Sequence, residues 1–219
     1  MDKDYWRNKW ATDDTRFHRT SAHPALTKYS QFTAGQRIFV PFCGKSLDLI
    51  WLMKQGCQIV ASELSEVACD GFFQENAIQV STRKEGAFVL YEAAGIKIWC
   101  GDHFALTPDV FDGVSGWYDR AALVALPEPM REKYFTHFFK VLPSFRRELF
   151  EMLLVSIEYE QERTQGPPFN VSESEIRSKL ESTFDVHLLD RYQDETFASH
   201  PRFTEVPAGE AIYRIVPKR

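Results

Sequence analysis

The sequence lacks the features that mark several common functions. It has no long basic run and a formal net charge of -5 at pH 7, which argues against nucleic-acid binding through phosphate neutralisation. No apolar stretch approaches the roughly 20 residues needed to span a bilayer. The most apolar late segment, 149–159, is broken by Glu151 and Glu158. The opening MDKDYWRNKW carries acids and no apolar h-region, so no secretion signal is read and a cytoplasmic location is expected. Cysteines are few (Cys43, Cys57, Cys69 and Cys100) and neither they nor the histidines have ligand spacing, so free thiols and no metal are expected. Repeats, low-complexity tracts and clear linkers are also missing.

What is present is ordinary for a folded domain: 44% hydrophobic and 26% charged residues in 219, read as one domain over 1–219. Residues 1–30, rich in aromatic and charged side chains, read as an N-terminal helical appendage. Within it Trp6 and Trp10 are four apart and share a helix face. Strand patterns follow at 38–41, 58–63, 87–91, 96–100, 113–118, 153–159, 184–189 and 211–216. Between them lie a helix at 47–53 closed by Gly56, one capped by Ser65 and running to about Asn76, one entered through Pro127 and Pro129, and one opened by the Ser172–Glu175 capping box. The alternation predicts an α/β fold, a mostly parallel sheet with helices on both faces and ligands beyond the carboxyl ends of the strands.

Glycine is scarce where phosphate loops need it. The segment IFVPFCGKSLD (38–48) ends a strand in Gly44-Lys45-Ser46, but Phe39 stands where a P-loop requires its first glycine. A dinucleotide loop is equally short of glycine, with Phe42 and Leu47 flanking Gly44. The other strand ends offer Glu63, Gly101-Asp102 and Asp119-Arg120. Glu63, nineteen residues after Gly44, is at the offset of a ribose-binding carboxylate. Asp102 suits either an adenine amine or a local helix cap. Arg120 suits either a local acid such as Asp119 or the substrate. A nucleoside cofactor without phosphate answers this set, and S-adenosyl-L-methionine is one, its sulfonium suited to acidic and aromatic surroundings.

These residues belong to separated motifs: Trp6-x-x-x-Trp10 with Phe17-His18, Val40-Pro-Phe-Cys-Gly-Lys-Ser-Leu-Asp48, Glu63-Leu-Ser-Glu66, Trp99-Cys-Gly-Asp102, Tyr118-Asp-Arg-Ala-Ala-Leu123 and Gly166-Pro-Pro-Phe169. With them the whole chain resembles the thiopurine S-methyltransferases. The resemblance implies a class I, Rossmann-like methyltransferase fold with an N-terminal segment folded over the cofactor. It implies cofactor contacts from Trp10, Phe42, Glu63 and Arg120, an adenine lining of Asp102 and His103, Phe17 on the substrate side, and a cover loop ending at Phe169. Phe42 stands where leucine is usual, and residues 145–152 look longer and more charged than is typical. Some members carry a second substrate arginine in the segment matching 193–203, to which Arg202 does not align clearly.

The reaction implied is methyl transfer to a thiol, thiopurine, selenium or tellurium acceptor, giving S-adenosyl-L-homocysteine, with Arg120 favouring an anionic acceptor. A monomer acting on small molecules, with no nucleic-acid or membrane partner, is expected. The alternatives are a halide/thiol methyltransferase, a non-catalytic S-adenosylmethionine-binding protein and, against the missing glycines, a nicotinamide oxidoreductase.

Overall fold

The computed structural model describes residues 3–15, 17–160, 162, 165–192, 203, 206 and 208–218. Two N-terminal helices, α1 (Lys3–Ala11) and α2 (Pro24–Tyr29), precede the first strand, β1 (Arg37–Val40). Then follow α3 (Leu47–Lys54), β2 (Gln58–Glu63), α4 (Glu66–Glu75), β3 (Ser81–Glu85), β4 (Phe88–Ala93), β5 (Ile96–Cys100), β6 (Gly116–Arg120) and α5 (Glu128–Val141). The chain continues with β7 (Glu151–Glu158), α6 (Glu173–Leu180), β8 (Phe184–Tyr192) and β9 (Gly209–Pro217).

The strands form a nine-stranded sheet in the order β3-β4-β5-β2-β1-β6-β7-β9-β8. Its centre, β5-β2-β1-β6-β7, is parallel throughout. Both flanks are antiparallel: β3-β4-β5 is a meander, and β9 pairs antiparallel with β7 and β8. The largely parallel expectation thus holds for the core strands alone.

Alternation along the strands sorts the interior into two cores, because successive side chains face opposite ways. Ile38, Val40, Ile59, Ala61, Leu153 and Val155 pack on one side with residues of α2, α3 and α4. Phe39, Val60, Met152 and Leu154 face the other, where α5 and α6 contribute Tyr134, Phe138, Ile176 and Leu180. The expected caps form: the side chains of Ser65 and Ser172 accept from the amides of Ala68 and Glu175. Strand β3 was not foreseen, since its sequence STRKE is exposed throughout and has no apolar face. Its charges also blunt an open sheet edge.

Sequence order reverses at β1, which lies between β2 and β6. A crevice beyond the carboxyl ends of the strands at such a point is where open α/β sheets bind ligands.

Candidate active site

The turn after β1 is built from two left-handed residues, Phe42 (φ 46°) and Gly44 (φ 53°). A non-glycine residue in this region is uncommon and costs energy that the surroundings must supply. Three consecutive amides supply part of it. The Phe42 amide donates to Ser62 Oγ at 3.3 Å, the Cys43 amide to the Ser62 carbonyl at 2.9 Å and the Gly44 amide to Glu63 Oε2 at 2.8 Å. The turn therefore spends its donors on the end of β2 and has no open cradle for a phosphate. Lys45 is likewise committed, to Glu75 Oε1 at 2.6 Å. Both observations exclude the P-loop and disfavour a dinucleotide.

Above the turn sits the lid. A Cβ on Gly44 would lie 2.7 Å from Trp10 Cζ2, so the indole rests on the glycine backbone. Phe17 meets Trp10 and Trp6 edge to face, with centroids 5.4 and 5.6 Å apart. Lys3 at the start of α1 reaches Asp102 Oδ2 at 2.8 Å. Beneath this cover is a cavity of about 570 Å³, within the range of small-molecule and cofactor sites. Trp10, Phe17, Phe42, Glu63, Asp102, His103 and Arg120 all line it.

Phe169 does not line it. Its ring folds back on Gly166, where a Cβ would be 2.5 Å away, and its amide is tied to the Val124 carbonyl at 2.7 Å. Pro167 and Pro168 take the place expected of it on the cavity wall.

Glu63 is buried and accepts three backbone hydrogen bonds, from Gly44 on one oxygen and from Leu64 and Ser65 on the other at 2.7 and 2.9 Å. Burial raises its pKa, and these amides oppose the rise. A carboxylate has about four lone-pair sites, so limited capacity remains for a ligand. Asp102 performs the cap left open above: Oδ1 accepts from the Phe104 amide at 3.0 Å while Oδ2 holds Lys3. His103 is buried beside Phe42, its Nδ1 3.0 Å from Ser62 Oγ and its buried Nε2 without a hydrogen-bond partner among the described residues. Burial pushes its pKa well below the ordinary value, so the ring is neutral.

Arg120 pairs with an acid, but not with Asp119. Its Nε donates to Asp48 Oδ2 at 2.9 Å. The alternation of β6 turns Asp119 to the other face, where its carboxylate accepts from the Leu123 amide at 3.0 Å and from Tyr134 Oη. Asp48 is buried and also accepts from the His23 amide at 2.7 Å and Tyr118 Oη at 3.1 Å. Burial works to raise its pKa, yet the Arg120 charge and the His23 amide hold it below the usual range. His23 Nε2 lies 3.1 Å from Glu210 Oε2, to which Tyr192 Oη also donates at 2.9 Å. Sequence reasoning missed Asp48, His23 and Glu210 as site residues. The one signal was Asp48 itself, an acid interrupting the apolar run of α3 directly after the turn.

This donor set fits S-adenosylmethionine. The rings of Trp6, Trp10, Phe17 and Phe42 line a largely apolar chamber, and aromatic faces suit a sulfonium cation. No pyrophosphate has to be seated, and the cavity is of a size to take a nucleoside.

The profile of the family described as thiopurine S-methyltransferase (TPMT) matches residues 1–216. The chain belongs to the thiopurine S-methyltransferase family. As a member it is an S-adenosylmethionine-dependent methyltransferase. A thiopurine S-methyltransferase of Pseudomonas fluorescens is 37% identical over 221 residues, covering 98% of this chain and 99% of that protein. One from Methylococcus capsulatus is 40% identical over 193 residues, covering 86% and 85%. The fold is shared more widely. A methyltransferase from Thiobacillus denitrificans, solved with S-adenosyl-L-homocysteine, superposes with a TM-score of 0.60 at 12% identity, covering 96% of this chain and 97% of that one. A TehB-like methyltransferase from Corynebacterium glutamicum gives 0.57 at 10%, covering 99% and 98%. Among the described residues no helix is long and apolar enough to cross a membrane, and no cluster of three or more His, Cys, Asp or Glu could hold a metal ion.

Proposed function

We propose that this methyltransferase acts on soft, anionic acceptors, a thiol or heteroaromatic thiol of the thiopurine type or a selenium or tellurium analogue. In this reading Trp10, Phe42, Glu63, Asp102, His103 and Arg120 hold the donor, Phe17, Pro167 and Pro168 border the acceptor, and Phe169 braces the cover loop. The observation that carries it is the pairing, in one cavity, of a held guanidinium with an apolar wall of Val124, Leu126, Met130, Ile157 and Phe203. Such a wall receives an apolar or aromatic acceptor body, and the guanidinium stabilises the thiolate over the thiol.

Bound S-adenosylmethionine supplies an already activated methyl group. The chain's own residues then have to position and exclude water, an effect worth about 7–11 kcal/mol in well-aligned systems. Trp10 and Phe17 close the chamber from above, and Asp48 keeps Arg120 in one orientation. The names of the relatives support sulfur as the acceptor atom.

Titration calorimetry with S-adenosylhomocysteine followed by a panel of thiols, thiopurines, selenols and halide ions tests the reading. One-to-one binding with methylation of sulfur or selenium is expected. Binding without transfer to any acceptor would favour the non-catalytic alternative, and preferred transfer to halide the other.

A further inference from the structure

We propose that His18 is the proton acceptor for neutral thiol substrates of this enzyme. The inference rests on the methyl-transfer reading above and names the group that removes the S–H proton.

A neutral thiol must lose that proton as its sulfur is methylated, and Arg120, always charged, cannot take it. The carboxylates on the cavity wall are occupied. Asp14 holds Lys9, Asp48 holds Arg120, Asp102 holds Lys3, Glu63 accepts three amides, and Glu210 is shared by His23 and Tyr192. His103 is 3% exposed, beneath Phe42, where an imidazolium would have no water to receive its proton. His18 differs on each count. It lines the cavity from the lid, follows Phe17, is half-buried, and its ring makes no hydrogen bond among the described residues.

The charges around it come from four elements: Asp13 after α1, Lys45 in the β1–α3 turn, Glu75 on α4 and Arg120 on β6. Burial first, then Lys45 and Arg120, lower its pKa, while Glu75 and Asp13 oppose them. The ring is therefore neutral near pH 7 and able to accept. In the step, the S–H proton passes to an imidazole nitrogen as the acceptor sulfur forms its new bond to the methyl carbon. The donor S–C bond breaks, its electron pair staying with S-adenosylhomocysteine, and the imidazolium returns its proton to water at the rim.

The test is His18→Gln assayed with an alkanethiol and with a selenol or thiophenol ionised at the assay pH, beside calorimetry with S-adenosylhomocysteine. The alkanethiol kcat/KM is expected to fall by about 10²-fold, the lower end for a positioned base, with little change for the pre-ionised acceptor. Cofactor affinity is expected to hold, and the acidic limb of the alkanethiol pH profile, below pH 6.5, to vanish. Equal loss on both acceptors would assign His18 to lid packing and overturn the proposal, as would no loss on either. If the unaltered enzyme methylates only carbon, nitrogen or oxygen acceptors, the thiol reading itself fails. If it methylates thiols and His18→Gln does so equally well, only the role of His18 fails.

Discussion

Asp48 carries the heaviest structural demand in the cavity, and its removal has a calculable cost. In Asp48→Ala two buried donors and one part-buried donor lose their acceptor at once: the His23 amide, Tyr118 Oη and Arg120 Nε, now at 2.7, 3.1 and 2.9 Å. The guanidinium would keep only a long contact to Ser46 Oγ at 3.5 Å. Breaking a buried pair from one side costs about 3–5 kcal/mol, mainly because the surviving charge stays buried and unpaired. That is a large part of the 5–15 kcal/mol typical of a whole domain. Urea denaturation should therefore show a strongly lowered midpoint, with Asp48→Asn falling between the two because it keeps volume and one acceptor. Adding Arg120→Met to Asp48→Ala should recover part of the loss, since the orphaned charge is then gone. The Asp48 contribution should also depend on pH. Its folded pKa lies below the unfolded 3.8, so it is complete above that value and lost as pH falls through the lower folded one. A loss below about 1 kcal/mol in Asp48→Ala, or no recovery in the double mutant, would refute the claim that this network holds Arg120 in place.

Gly44→Ala combines a left-handed backbone cost of about 1–2 kcal/mol with a clash at Trp10. Tryptophan fluorescence should report the displaced indole, and unchanged emission with unchanged S-adenosylhomocysteine affinity would count against the seated lid. Glu63→Ala should weaken S-adenosylhomocysteine binding about ten- to a hundredfold, the equivalent of roughly 1.5–3 kcal/mol in hydrogen bonds to a charged group, and an unaltered Kd in a folded variant would remove it from the donor site. Asp119 gives a pH signature of opposite sign to Asp48. Burial raises its carboxyl from 3.8 to about 6, so the folded state binds the proton more tightly and stability should fall as pH rises from about 4 to 6, by up to about 3 kcal/mol. Urea midpoints across that window should slope less in Asp119→Asn, and an unchanged slope would reject the assignment.

Legibility followed the physics of each element. Strands with an apolar side, such as β1 and β5, and helices with serine caps, such as α4 and α6, could be read because burial and capping leave local marks. Strand β3 could not, because its reason for existing is the neighbouring β4 and not its own side chains. The antiparallel placement of β9 between β7 and β8 also has no local signature. At the candidate site, the strand-end residues picked out by their spacing line one cavity. The partners that hold them were not, because His23, Asp48 and Glu210 meet only through contacts 25 and 187 residues apart in sequence. The choice of Asp48 over Asp119 for Arg120 depends on Asp119 and Arg120 taking opposite faces of β6. The segment expected to hold a second arginine, including Arg202, lies outside the described residues apart from Phe203.

The position of β9 bears on synthesis. Residues 209–217 come late in the chain yet sit inside the sheet, and they bring Glu210 to the cavity wall and to His23. A nascent chain that has translated β8 has no inner partner for that strand until β9 emerges and inserts. Donor binding should therefore appear only once translation has passed this strand, and a ribosome stalled before residue 209 should display a chain with a formed parallel centre but an incompetent pocket. Pocket competence becomes in this way a readout of β9 insertion, which an enzyme whose pocket is built from early strands alone would not provide.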